Sequence, residues 1–137
     1  MKDAASREFD ENSPDCVIDL MPEQEGIEKK GGTMRLGAYP CVIAEGTQMR
    51  ALYGSDSAHE RHRHRFEYNN DYRKLLTEKG LLIGGVSPDG SLVEAVELPD
   101  KDFFVGVQFH PEFKSRPNRP HPLFLGLLQV AIQQKES

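Results

Sequence analysis

The run Val105-Gly106-Val107-Gln108-Phe109-His110-Pro111-Glu112 carries a strand-type apolar segment straight into a His-Pro-Glu corner. Strand ends are rigid points from which a scaffold presents reactive groups. Proline holds φ at about −65°, so continued extended backbone would project residues 110 and 112 to the same side. Glu112 could then reach the imidazole of His110. A carboxylate on one ring nitrogen fixes the tautomer and stabilises the imidazolium, which leaves the other nitrogen free as a general base. His110 and Glu112 thus supply the base and the orienting group of a nucleophile–base–orienter triad. The competing use of the same residues is a histidine closing a strand beside a solvated glutamate.

The triad calls for a nucleophile, and neither Gly-x-Cys-x-Gly nor Gly-x-Ser-x-Gly, the patterns of a strained strand-to-helix elbow, occurs in the chain. Cys16 lies in Pro-Asp-Cys-Val-Ile and Cys41 in Tyr-Pro-Cys-Val-Ile. In such apolar strand contexts a free cysteine is usually an inert core residue.

A second feature is Glu60-Arg61-His62-Arg63-His64-Arg65-Phe66-Glu67. Its alternation predicts an extended segment with Arg61, Arg63 and Arg65 on one face and His62, His64 and Phe66 on the other. The guanidinium groups suit a substrate carboxylate held by paired, charge-assisted hydrogen bonds, or phosphates and acidic partner surfaces. His62 and His64 at i, i+2 offer two metal ligands without a convincing third. A charged edge strand that discourages sheet-to-sheet association accounts for the pattern equally well. The third feature, GGTMRLG at 31–37, lacks the spacing of a phosphate-binding loop and reads as a tight turn entering a strand.

The elements that would position these groups follow from the apolar pattern. Strands are predicted at 16–21, 36–44, 81–86, 92–98 and 103–109, and one or two helical turns at 47–53. Asn70 is placed to cap a helix over 71–79 that stops at Gly80. Turn chemistry at 87–90 and 99–102 makes the last three strands antiparallel neighbours. A proline-rich loop over 114–122 leads to a final helix with Leu123, Phe124, Leu127, Leu128 and Ala131 on one side.

The 137 residues, with 22 acidic and 17 basic groups and a net charge of −5, allow one domain or less and argue against broad nucleic-acid binding. A mean hydropathy of −0.59 is polar for a compact domain of this length. The sequence contains neither a long apolar span nor a signal-peptide layout, which points to a cytoplasmic protein without membrane contact. Two cysteines are too few for a disulfide scaffold or a four-ligand zinc site.

GGTMRLG, ERHRHRFEYNN and VGVQFHPEFKSRPNRPHPLF, in that order, closely resemble the C-terminal part of the CTP synthase family of class I glutamine amidotransferases. The likeness runs from Glu8 to the end of the chain. It implies an α/β fold: the later part of a flavodoxin-like domain, with a mixed sheet whose later strands are antiparallel and a C-terminal helix. It implies a glutaminase chemistry with a Cys-His-Glu triad, in which His110 is the base and Glu112 its orienter, and Arg65 and Glu8 contact L-glutamine. Arginine suits the substrate's α-carboxylate and the acidic residue its α-ammonium.

The same resemblance places the nucleophilic cysteine upstream of Met1, so residues 1–137 are expected to be a partial glutaminase domain, inactive alone. The expected partners are the remaining half of that domain and a synthetase domain, in a homo-oligomeric parent. ATP and magnesium would belong to the synthetase, and no cofactor or metal to this chain. The alternative from another class is a non-catalytic module that engages an acidic partner or a nucleotide through the Arg61, Arg63 and Arg65 stripe.

Overall fold

Residues 35–43 and 57–64 alternate between outward and inward side chains, and they form the longest strand pairing of the protein. A computed structural model describes residues 3–20 and 34–136. In chain order the elements are β1 (Ala4–Ser6), β2 (Asp15–Asp19), β3 (Arg35–Ile43), α1 (Gln48–Tyr53), β4 (Ser57–His64), β5 (Glu67–Tyr68), α2 (Arg73–Glu78), β6 (Leu82–Val86), β7 (Val93–Glu97), β8 (Val105–Val107) and α3 (Pro122–Glu136).

Among the described residues, β4-β3-β6-β7-β8 form a five-stranded antiparallel sheet. A smaller mixed sheet has the order β1-β2-β5, with β1 parallel and β5 antiparallel to β2. The antiparallel succession of the last three strands agrees with the turn chemistry, and β2 and β3 start within one residue of the strands expected from 16 and 36, but the strand expected over 103–109 shortens to Val105–Val107. Residues 31–33 of the glycine-rich motif lie outside the described residues; Met34 leads into β3.

The core joins Cys41, Ile43, Met49, Ala95, Phe109 and Leu123, with Leu52, Tyr53 and Val107 packed against it. It draws residues from β3, α1, β7 and α3 into one cluster, and Phe109 anchors the end of the strand that leads to His110. The sheet and helices approach closely at glycines. A Cβ on Gly85 would lie 2.6 Å from the Cys41 sulfur, so β6 sits against Cys41 only because residue 85 has no side chain.

Two helices differ from expectation. Asn69, not Asn70, caps the segment after the arginine–histidine run, and a 3-10 turn at Asn70–Tyr72 precedes the short α2. The Asn69 side chain accepts from the Asp71 N–H, and the chain tightens there before α-helical bonding begins. In α3 only Leu123 and Gly126 are buried, whereas Phe124, Leu127, Leu128 and Ile132 are exposed. The contact is a narrow stripe: Leu52 of α1 and Phe103 lie directly over Gly126, where there is no room for a larger side chain. The apolar side anticipated from the pattern therefore faces outward along most of its length.

Glu97, 2% exposed on β7, resolves the start of α1. Its carboxylate accepts hydrogen bonds from the backbone N–H groups of Gln48 (2.9 Å) and Met49 (2.7 Å). Thr47 caps the same end, its hydroxyl accepting from the Arg50 N–H at 3.0 Å. Groups that would otherwise be orphaned in the interior are thus satisfied across the sheet. Replacing Glu97 by Ala removes charge-assisted bonds of about 1.5–3 kcal/mol each before relaxation. The expected outcome is a loss of roughly 2–4 kcal/mol in urea unfolding, with Glu97→Gln costing less because its amide oxygen still accepts.

Candidate functional site

β8 delivers the His-Pro-Glu corner, and backbone bonds set its shape. The His110 N–H donates to the Arg61 carbonyl at 2.9 Å, tying the corner to β4, and Phe113 N–H returns to the His110 carbonyl at 3.1 Å. Pro111–Phe113 is a 3-10 turn, so the chain does not stay extended past the histidine. The two side chains meet all the same: His110 Nδ1 lies 2.7 Å from Glu112 Oε1. The turn brings them together on the inside of a bend, and the Phe113 ring stacks on the imidazole with centroids 4.8 Å apart and planes 15° from parallel. The hydrogen bond with His110 holds the Glu112 carboxyl below its ordinary range. With Nδ1 donating to that carboxylate, Nε2 is the nitrogen left to accept a proton.

Arg65 and Glu8 come from distant parts of the chain and line one cavity of about 610 Å³. Arg65 follows the end of β4, and Glu8 sits in the turn after β1, where its N–H donates to the Ser6 hydroxyl at 3.3 Å. Tyr68, Glu94 and Gln108 also line the cavity. His110 and Glu112 are not part of that lining. Gln108, the residue after β8 and two before His110, is their link to it. The structure therefore groups the four sequence-derived residues as two pairs rather than one cluster.

Arg61, Arg63 and Arg65 are all exposed, while His62 is buried and His64 nearly so. Beneath them lies a set of charged groups that the sequence reading did not single out. Arg35 Nη2 is 2.6 Å from Glu94 Oε1, and Arg35 Nη1 is 3.8 Å from Glu67 Oε1. The Arg35 guanidinium also rests over the Tyr39 ring at 4.5 Å. Burial pushes the Glu67 carboxyl up to about 7 against the pull of Arg35, and burial raises Glu94 in the same way. The sequence did carry one signal for Glu94: a carboxylate between the apolar Val93 and Ala95 of a strand, where it must be paired if buried.

A second buried cluster holds the loop after the corner. Tyr53 donates to Glu60 Oε1 at 2.8 Å, and His121 Nε2 lies 2.9 Å from the same oxygen. Burial opposes ionisation of Glu60, but the bonds from His121 and Tyr53 outweigh it and the carboxyl stays below its ordinary value. The Lys114 ammonium donates to the His59 carbonyl, strapping the loop to β4. Both cysteines are buried, and burial, reinforced by Glu94 and Glu60, pushes the Cys41 thiol up to about 12. Such a thiol is no nucleophile near neutrality. No group of three or more potential metal ligands occurs among the described residues, and no described helix is long and apolar enough to cross a membrane.

Residues 9–130 match the family model "Glutamine amidotransferase class-I". The chain belongs to that family. It is 62% identical to a CTP synthase of Carboxydothermus hydrogenoformans over 133 residues, which is 97% of this chain and 25% of that protein. It is 53% identical to a CTP synthase of Staphylococcus aureus (strain JH9) across 100% of this chain and 26% of the relative. Among solved structures it superposes on the Trypanosoma brucei CTPS glutaminase domain with bound acivicin at a TM-score of 0.88 and 40% identity, covering 96% of this chain and 52% of that one. This class I amidotransferase chain thus has the family fold and spans about a quarter of the length of the CTP synthases it matches.

The buried carboxyl of Glu67 gives the chain a pH signature. Its folded value of about 7 lies above the ordinary 4.5, so its contribution to stability is complete below about 4.5 and is lost as pH rises through about 7. His62, drawn down to about 3 by burial and then by Arg35, works in the opposite sense, its contribution lost as pH falls from about 6.5 toward 3. Glu67→Gln mimics the protonated carboxyl and should lose less stability than the parent chain between about pH 5 and 8. Urea midpoints across that range measure it, and parallel curves for the two proteins would contradict the assignment.

Proposed function

We propose that this chain supplies the base and the substrate-holding residues of a glutaminase that feeds ammonia to CTP synthesis. The observation that carries the reading is the 2.7 Å contact between His110 Nδ1 and Glu112, which leaves Nε2 free three residues beyond β8, a strand that lines the cavity of Arg65 and Glu8. The sequence likeness to CTP synthases supports it, as does the fold shared with a glutaminase domain.

In this reading L-glutamine enters the 610 Å³ cavity with its α-carboxylate on Arg65 and its α-ammonium on Glu8. Fixing both ends of the amino-acid moiety directs the side-chain amide along β8 toward His110. The nucleophile is a cysteine supplied by the part of the relatives' glutaminase domain that this chain does not span. His110 Nε2 takes its thiol proton as the thiolate attacks the carboxamide carbon, and Glu112 stabilises the imidazolium. The imidazolium then returns the proton to the leaving nitrogen, releasing ammonia. Water cleaves the remaining thioester to glutamate with the same base in reverse.

The ammonia would serve a synthetase domain that uses ATP and magnesium to aminate UTP, in a homo-oligomeric enzyme. The chain alone should not hydrolyse glutamine.

Joining this chain behind the matching upstream part of the Carboxydothermus CTP synthase tests the proposal. His110→Ala in that enzyme should lower glutamine-dependent CTP formation by about 10²–10⁴-fold while synthesis from added ammonia continues; equal loss of both would make His110 structural. Arg65→Ala should raise the glutamine KM at least tenfold, roughly the loss of one charge-assisted bond. If the KM stayed constant and Arg63→Ala instead abolished salt-sensitive binding of a polyanion, the stripe would be an anion-binding surface.

A further inference from the structure

Pairing between β3 and β4 ends at Arg35↔His64, and β5 begins at Glu67. Arg65 and Phe66 therefore lie in the gap between two strands, without ladder hydrogen bonds to hold them. A substrate arginine in such a gap needs another restraint, because a side chain this long is only as well aimed as the backbone it leaves.

The inward face of β4 provides one. His64 Nδ1 lies 3.1 Å from the Phe66 carbonyl oxygen, and His62 Nδ1 lies 2.8 Å from His64 Nε2. A carbonyl can only accept, so the proton between His64 and Phe66 is on Nδ1 of His64. If His64 is neutral its Nε2 is bare and must accept, so the proton between the two rings is on Nδ1 of His62. Neutral His62 then presents a bare Nε2 toward Glu94 Oε2, 3.7 Å away. That nitrogen and Glu94 Oε2 have no hydrogen-bond partner among the described residues, whereas Glu94 Oε1 is paired with Arg35 at 2.6 Å.

Both ring donors then point the same way, from His62 through His64 to the carbonyl just beyond Arg65. Neutrality follows from the surroundings: His62 is fully buried, and the Arg35 guanidinium beside it disfavours a second cation. Burial lowers His64 too, despite the Phe66 bond. The Tyr39 and Phe109 rings pack against His62 at 5.6 and 5.9 Å, which prevents the imidazole from turning over to exchange its nitrogens.

We propose that His62 and His64 are positioning residues for glutamine recognition, forming a one-way relay of neutral imidazoles that clamps the Phe66 carbonyl and holds Arg65 toward the cavity. This rests on Arg65 being the substrate arginine, and it adds the device that aims it.

The test has two arms. In the full chain labelled with ¹⁵N at histidine, NMR should show protonated Nδ1 and unprotonated Nε2 at both His62 and His64. An imidazolium at either position, or protonated Nε2 on a neutral ring, would overturn the relay. In the joined enzyme, His64→Ala should raise the glutamine KM about tenfold while kcat falls less than about threefold. His64→Asn, whose amide can still donate to the Phe66 carbonyl, should recover most of that affinity. An unchanged KM in His64→Ala, or no recovery in a folded His64→Asn, would overturn the positioning role. An Arg65→Ala enzyme with normal KM would instead remove the glutamine reading itself, with the tautomer signature still intact, so the two failures are distinguishable.

Discussion

Eight consecutive antiparallel pairs, from Arg35↔His64 to Val42↔Ser57, decide which side of the arginine–histidine strand meets water. Because side chains alternate strictly along a strand, that register turns Glu60, His62 and His64 inward and Arg61 and Arg63 outward in one step. The inward set is polar, so the fold has to provide partners for it. Tyr53 from α1 and His121 from just before α3 do so for Glu60, and His62 and His64 bond to each other. The positions of the helices and of the His110 corner follow from meeting that demand.

The buried carboxylates show how differently one requirement can be met. Glu97 is satisfied by the backbone N–H groups that open α1, Glu60 by a phenol and an imidazole, and Glu94 by a guanidinium. Only the first involves main chain alone on the donor side, and it links β7 to a helix 49 residues earlier in the sequence. A polar interior of this kind leaves the apolar core small, and β6 approaches Cys41 at its centre so closely that residue 85 has no room for a side chain.

Local periodicity made much of this legible in the sequence. The alternation of arginine and histidine needs only the strand repeat, and the antiparallel order of β6, β7 and β8 needs only turn chemistry at residues 87–90 and 99–102. The His110–Glu112 contact was also legible, though through the wrong geometry, since a 3-10 turn replaces extended backbone. What the sequence did not disclose depends on partners far along the chain. Nothing near Glu67, Glu94 or Glu97 announces Arg35 or the start of α1. The face of α3 was misread because its contact is set by the gap at Gly126 and by Leu52, not by the number of leucines on a side. The shared cavity of Glu8 and Arg65 joins two sheets and has no local signature.

The corner bearing His110 is fastened to β4 at two points, the Arg61 carbonyl and the His59 carbonyl. Arg65 directly follows the same strand, four residues beyond the nearer of them. The strand is therefore a ruler between base and arginine, with a graduation of about 3.3 Å per residue and a span of about 13 Å. It has phase as well as length: removing or adding one residue between 61 and 65 would shift the spacing by one graduation and rotate the arginine to the face now occupied by His64. Only changes of two residues preserve the facing, and those alter the span by about 7 Å, more than a substrate of glutamine's size tolerates. Substitution is open to this segment in a way that insertion and deletion are not.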